Sequence, residues 1–196
     1  MEKSDGEDQE WVFRTPYQKW EKHKVQGKKK SGAVSQMVWG VFAGGKKGPC
    51  VECVGDPNSG RKGVAGEVYL KILENNLINF FEDEWIFMQD NARVHIYHRI
   101  PKFLEDAGIE VMKWPAYSPD LNPIEHIWPI LKNNLHKHYP HIATMKGAPP
   151  KVKAALIPAL KHCWDLIEPS VFENLARTMP NRVKAVIQAK GWYTKY

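Results

Sequence analysis

Cysteine is scarce in this chain, and what there is does not pair off. Three cysteines among 196 residues are an odd count, and no secretory signal accompanies them. A disulfide framework is therefore not expected, and a reducing compartment is. Cys50 and Cys53 form a C-x-x-C, but no second pair follows at a spacing that would complete the four ligands of a structural zinc site. They read as two small strand residues. No apolar run reaches membrane-spanning length, no signal peptide is visible, and no segment repeats. Acids are outnumbered: 22 Asp and Glu stand against 28 Lys and Arg, a net charge of +6. That balance favours a polyanionic partner without naming one. A hydrophobic fraction of 43% with eight tryptophans suits one sizeable domain with a real core.

What is present reads as short strands alternating with helices. Residues 1–10 are polar and mostly charged, a loop or frayed end. Trp11–Phe13 reads as a short strand that Thr15-Pro16 ends. The lysine-rich stretch from Lys19 to Lys30 is either a solvated loop or a phosphate-contacting one. Its Lys28-Lys29-Lys30 run is too short to read as a nuclear localisation signal. Ser35–Phe42 and Pro49–Gly55 are expected to form a hairpin around Gly44–Gly48. Val64–Phe80 should be a helix with an apolar face of Val68, Leu70, Ile72, Leu73, Leu77 and Phe80. A strand from Trp85 to Gln89 follows. Next comes a helix from Val94 to Ala107, started late or kinked by Pro101 and stopped by Gly108. Ile109–Trp114 completes a strand–helix–strand unit. Beyond residue 144 a linker over 144–152 leads to three short helices, Lys153–Ile167, Pro169–Arg177 and Arg182–Lys190, with Pro180 dividing the last two. The organisation expected is a polar stretch 1–10, a core 11–143, the linker 144–152, and a helical segment 153–196 of the same α/β domain.

Two acids stand out by position. Asp90 ends the Trp85 strand. Glu125 falls in the first turn of a helix with Asn122 as N-cap and Pro123 at its first position, and 34 residues lie between the two acids. That helix buries Ile124, Ile127, Trp128, Leu131 and Leu135 on one face. Pro129 should bend it, or oblige the Glu125 carbonyl to find another donor. Carboxylates on rigid elements suit hard divalent cations. Spacing alone leaves open a turn role for Asp90 and a helix-dipole role for Glu125. His95 and His98 stand beside Asp90, suited to packing or backbone contacts rather than to a hard-ion site. His136, His138 and His141 around Tyr139-Pro140 read as an exposed helix end.

The segments Met88-Gln89-Asp90-Asn91-Ala92 and Tyr117-Ser118-Pro119-Asp120-Leu121-Asn122-Pro123-Ile124-Glu125, with Trp128 and Lys132 after them, resemble the catalytic core of mariner-type transposases, the Tc/mariner group of DDE endonucleases. Trp11-Val12-Phe13-Arg14, Gln36-Met37-Val38-Trp39-Gly40, Met179-Pro180-Asn181-Arg182-Val183 and Gly191-Trp192 extend the resemblance over nearly the whole chain. It implies a ribonuclease H-like fold, a mixed five-stranded sheet flanked by helices. It implies that Asp90 and Glu125 are the second and third catalytic acids, holding two Mg²⁺ or Mn²⁺ ions together with a first Asp. The chemistry implied is cleavage at transposon ends and joining of the freed 3′-hydroxyls to target DNA. DNA is the partner implied, a homodimer is compatible with it, and neither a membrane nor a small-molecule substrate is expected. A eukaryotic host would imply the nucleus. Lys28, Lys29, Lys30, Lys46, Lys47, Arg93 and His95 are then the candidate DNA contacts.

One part of the pattern is missing. The family's first Asp lies on a central strand ahead of the Trp-Val-Phe-Arg segment, and its register falls before Met1. Asp5 and Asp8 sit in a polar stretch, where a metal ligand lacks a rigid support. The N-terminal helix-turn-helix region is absent from the sequence as well. An N-terminally truncated catalytic domain is expected, with weak metal binding and a sheet left partly unpaired. Three readings stay open: an inactive transposase remnant, an active nuclease that recruits another acid, and a non-catalytic DNA-binding protein.

Overall fold

The computed structural model describes residues 34, 36–56, 63–116, 118–145, 147–192 and 194–196. Residues Val34–Tyr196 form one compact unit. The expected Trp11–Phe13 strand and the Lys19–Lys30 stretch lie outside the described residues.

The hairpin forms as its glycines dictate. Strand β1 (Val38–Ala43) pairs antiparallel with β2 (Lys46–Glu52). The turn is only Gly44-Gly45, tighter than Gly44–Gly48, because Gly44 takes φ 52°, a left-handed conformation that glycine adopts at little cost. Its two faces serve two cores, as the period of 2 allows. Val38 and Phe42 pack on one cluster, while Trp39 and Val41 pack on the other. Gly40 faces the first cluster, where a Cβ would stand 2.9 Å from the Trp164 ring and 3.2 Å from that of Trp128.

The first cluster joins β2 to the C-terminal helices through Cys50, Ile127, Leu131, Cys163, Trp164 and Phe172. The second gathers Tyr69, Leu73, Leu77, Phe87, Ile100, Leu104 and Ile109. Helix α1 (Gly66–Ile72) supplies much of it and widens into a π turn over Leu73–Leu77. Parallel strands β3 (Ile86–Phe87) and β4 (Glu110–Val111) flank α2 (Arg99–Asp106). This helix starts late, as Pro101 foretold, because a proline is tolerated in the first turn.

Both β3 and β4 are shorter than expected. Past Phe87 the neighbouring segments are held by side chains instead of a ladder. The Tyr69 hydroxyl donates to Gln89 Oε1 at 2.7 Å, and Asn91 Nδ2 donates to the Trp114 carbonyl at 2.9 Å. Among the described residues the strands make two separate two-stranded ladders, so the five-stranded sheet is not continuous there. Side-chain packing of Trp39 and Val41 carries the connection between them.

Turns of 3₁₀ helix at Pro119–Leu121 and Pro123–His126 lead into α3 (Ile127–His138) and the short α4 (Pro140–Ala143). Pro129 is accommodated by this change of ladder. The α-helical bonding begins only at Ile127, so Pro129 sits in a first turn whose N–H groups need no intrahelical acceptor. Helix α5 runs Pro149–Asp165, so the expected linker 144–152 is already helical from Pro149. Prolines suit the first helical positions, where no N–H is used. Helices α6 (Pro169–Arg177) and α7 (Met179–Gln188) abut at Thr178, with Pro180 inside the first turn of α7 and not between helices. No helix among the described residues is long and apolar enough to cross a membrane.

Candidate active site

Asp90 and Glu125 reach the same place from different elements. Asp90 follows β3 and is fixed within its own turn. Its Oδ1 accepts the Ala92 N–H at 2.9 Å and meets His95 Nδ1 at 2.7 Å, while its carbonyl lies 3.1 Å from the same nitrogen. His95 is in turn stacked on Tyr69, with ring centroids 4.4 Å apart. Glu125 stands in the 3₁₀ turn that Asn122 caps, its side chain accepting the Ile124 N–H at 3.3 Å. A cleft of about 340 Å³ is lined by Asp90, Asn91, Trp114, Pro119, Asn122 and Glu125, among others.

The electrostatics follow from this convergence. The Glu125 carboxyl titrates above the usual carboxylate range, first because the cleft desolvates it and then because Asp90 places a like charge nearby. Two such acids concentrate negative charge where a hard cation with oxygen ligands would relieve it. Oxygen donors on fixed backbone fit Mg²⁺ or Mn²⁺ in kind. Among the described residues no third His, Cys, Asp or Glu joins them in a group that could hold a metal.

The other candidates scatter. Arg93 is exposed in the turn after Asp90, and His95 supports Asp90. Lys46 is exposed on the hairpin, paired with Glu82 and set 5.4 Å from the Trp85 ring. Lys47 caps the end of α5 instead of facing solvent. Its ammonium donates to the carbonyls of Trp164, Asp165 and Ile167 at 3.3, 2.7 and 3.2 Å. Lys28, Lys29 and Lys30 lie outside the described residues. Burial raises the thiol of Cys50 to about 12 and that of Cys53 to about 11, so both are inert packing groups, as their lone spacing suggested.

Sequence reasoning missed Arg182 of α7, which is 1% exposed and bonded to the loop ahead of Glu125. The signal was available. Arg182 occupies the inward helical stripe with Met179, Val186 and Ala189, where an arginine is out of place unless it has a partner.

The chain is similar to several known proteins. Residues 64–146 match the model of the DDE superfamily endonuclease. The Tcb1 transposase of Caenorhabditis briggsae is 34% identical over 171 residues, 85% of this chain and 56% of that protein. The structure of the Mos1 strand transfer complex superposes with a TM-score of 0.61 at 18% identity, covering 96% of this chain and 51% of the other. The Mos1 catalytic domain solved with Raltegravir and Mg gives 0.50 at 20% identity, covering 74% and 75%. Fold and sequence thus define a DDE endonuclease domain on a ribonuclease H-like α/β frame. Within that class the chain is similar to the Tc/mariner transposases, and it spans about half the length of the curated relatives it matches.

Proposed function

We propose that this chain is the catalytic domain of a Tc/mariner-type transposase in which Asp90 and Glu125 are two of the ligands for a pair of Mg²⁺ or Mn²⁺ ions. One observation carries it. Two acids with 34 residues between them, on separate elements, line one cleft. Bound metal would neutralise charge on the scissile phosphate and ease deprotonation of the attacking water or 3′-hydroxyl. The chain's own part is positioning. His95 and the Ala92 N–H orient Asp90, the Asn91–Trp114 bond fixes the backbone beside it, and the Asn122 cap orients the turn that presents Glu125. The DNA strand is cut at a transposon end, and the freed 3′-hydroxyl is joined to target DNA. From Val34 onward, the core and the helical segment 153–196 act as one domain. A homodimer on DNA in a nucleus is the setting that fits best.

The 196-residue chain alone is proposed to be inactive. With two acids lining the cleft among the described residues, metal held by these two alone would be held weakly and the phosphate incompletely neutralised. A non-catalytic DNA-binding role is the second reading, favoured by the net charge of +6.

Nicking of supercoiled plasmid in Mn²⁺ tests both, with Asp90→Ala and Glu125→Ala as controls. The expected outcome is a DNA mobility shift without nicking. Nicking by the wild type that both substitutions abolish would show that the site is complete and that the chain is active.

A further inference from the structure

We propose that Arg182 is a positioning residue: from the last helix it clamps the loop ahead of Glu125 and so sets where that carboxylate stands across the cleft from Asp90. The inference rests on the reading of Glu125 as a metal ligand, and it adds a group from outside the acid-bearing segments.

The geometry is specific. Arg182 is the one buried charged side chain among the described residues. It has no carboxylate in ion-pair contact there. Instead Nη1 donates to the Asp120 carbonyl at 2.7 Å, Nε donates to Thr178 Oγ1 at 2.8 Å, and the guanidinium lies 4.7 Å from the Tyr196 ring. Burial pushes its pKa below the usual guanidinium value, so the fold holds this charge against a desolvation cost. The same loop residue is gripped a second time, since Thr194 Oγ1 donates to Asp120 Oδ2 at 2.9 Å. The C-terminal segment thus holds Asp120 by both backbone and side chain.

A shift at Asp120 is passed on to Glu125 because the intervening turns are stiff. The Asn122 N–H bonds the Pro119 carbonyl at 3.0 Å, and the Glu125 N–H bonds the Asn122 carbonyl at 3.2 Å. Pro119 and Pro123 restrict φ on either side. A lysine would keep the charge at position 182 but not the fork that serves two acceptors. If Arg182 merely fastened α7, its loss would lower global stability without singling out this loop.

Hydrogen exchange of the full chain separates the two. In Arg182→Met, which fills the volume without donors, the amides of Leu121, Asn122, Ile124 and Glu125 are expected to exchange about tenfold faster or more. Those of α5 should stay as in wild type. Arg182→Lys should fall between, and Thr194→Val should show the same pattern at smaller size. A folded Arg182→Met whose loop amides exchange at the wild-type rate overturns the proposal. If Arg182→Met does not fold, unchanged loop exchange in both Arg182→Lys and Thr194→Val overturns it. Mn²⁺ titration followed by electron paramagnetic resonance adds the functional arm. Arg182→Met should weaken binding by the same factor as Glu125→Gln, and binding left at wild-type strength overturns the positioning role. Wild-type Mn²⁺ binding that Asp90→Ala and Glu125→Gln leave unchanged would instead sink the metal-ligand reading, and the exchange data would still judge the clamp.

Discussion

At the scale of single residues, the site is paired charge held against its own preference. Glu125 titrates high because of desolvation and the neighbouring Asp90. A carboxyl whose folded pKa exceeds its unfolded one binds more protons when folded, so stability falls as pH rises through that window. Glu125→Gln should therefore stabilise the chain above the ordinary carboxylate range, by about 0.5 kcal/mol or less once solvent screening is allowed for. Below that range, where Glu125 is protonated in both states, the gain should vanish. Thermal unfolding at neutral and acid pH measures it, and a substitution that destabilises at neutral pH would show that no such repulsion exists. Asp90 has local partners, since its Oδ1 accepts the Ala92 N–H and lies 2.7 Å from His95 Nδ1. Asparagine keeps an Oδ1 that can accept both contacts, so Asp90→Asn should give no comparable gain.

At the scale of elements, the two hairpin lysines separate fold from surface. Lys47 gathers three carbonyls at and just past the end of α5, where the helical ladder runs out of N–H donors, although that of Trp164 also accepts the Ile167 N–H. Lys47→Met should cost about 1–3 kcal/mol, the scale of charge-assisted hydrogen bonds. Lys46→Ala removes an exposed pair with Glu82 and should cost about 1 kcal/mol or less. Denaturant unfolding of the two variants compares them directly, and equal losses would refute the cap. The 3₁₀-to-α change around Pro129 has the same logic at the candidate site. It lets a proline-rich loop deliver Glu125 at the start of α3, with Pro129 in a first turn where the N–H it lacks is not needed.

At the scale of the whole molecule, net charge of +6 predicts DNA affinity that falls as salt rises. The slope of log affinity against log salt counts phosphates contacted. Exposed Arg93 and Lys46 should each lower that slope by about 1 when replaced by Ala, with little dependence on DNA sequence. Lys47→Met should leave it unchanged, because that ammonium is already committed to α5. A Lys47 effect equal to that of Lys46 would mean that the cap opens on DNA.

Much of this was legible in the chain alone, for reasons local to it. Hairpin glycines, the Asn122 cap and the late start at Pro101 follow from preferences that act over a few residues. The segments around Asp90 and Glu125 carried the family resemblance because both are short, locally constrained stretches. Tertiary structure decided the rest. Lys47 looked like surface charge until the end of α5 came to lie beside it. Strands β3 and β4 are short, and past them Asn91 bonds the Trp114 carbonyl while Gln89 is held by Tyr69 of α1. Arg182 gained its role only when the last helix folded back on the Asp120 loop, 62 residues away in sequence. Periodicity can mark such a residue as misplaced, but only the packed fold shows which carbonyl it was placed to hold.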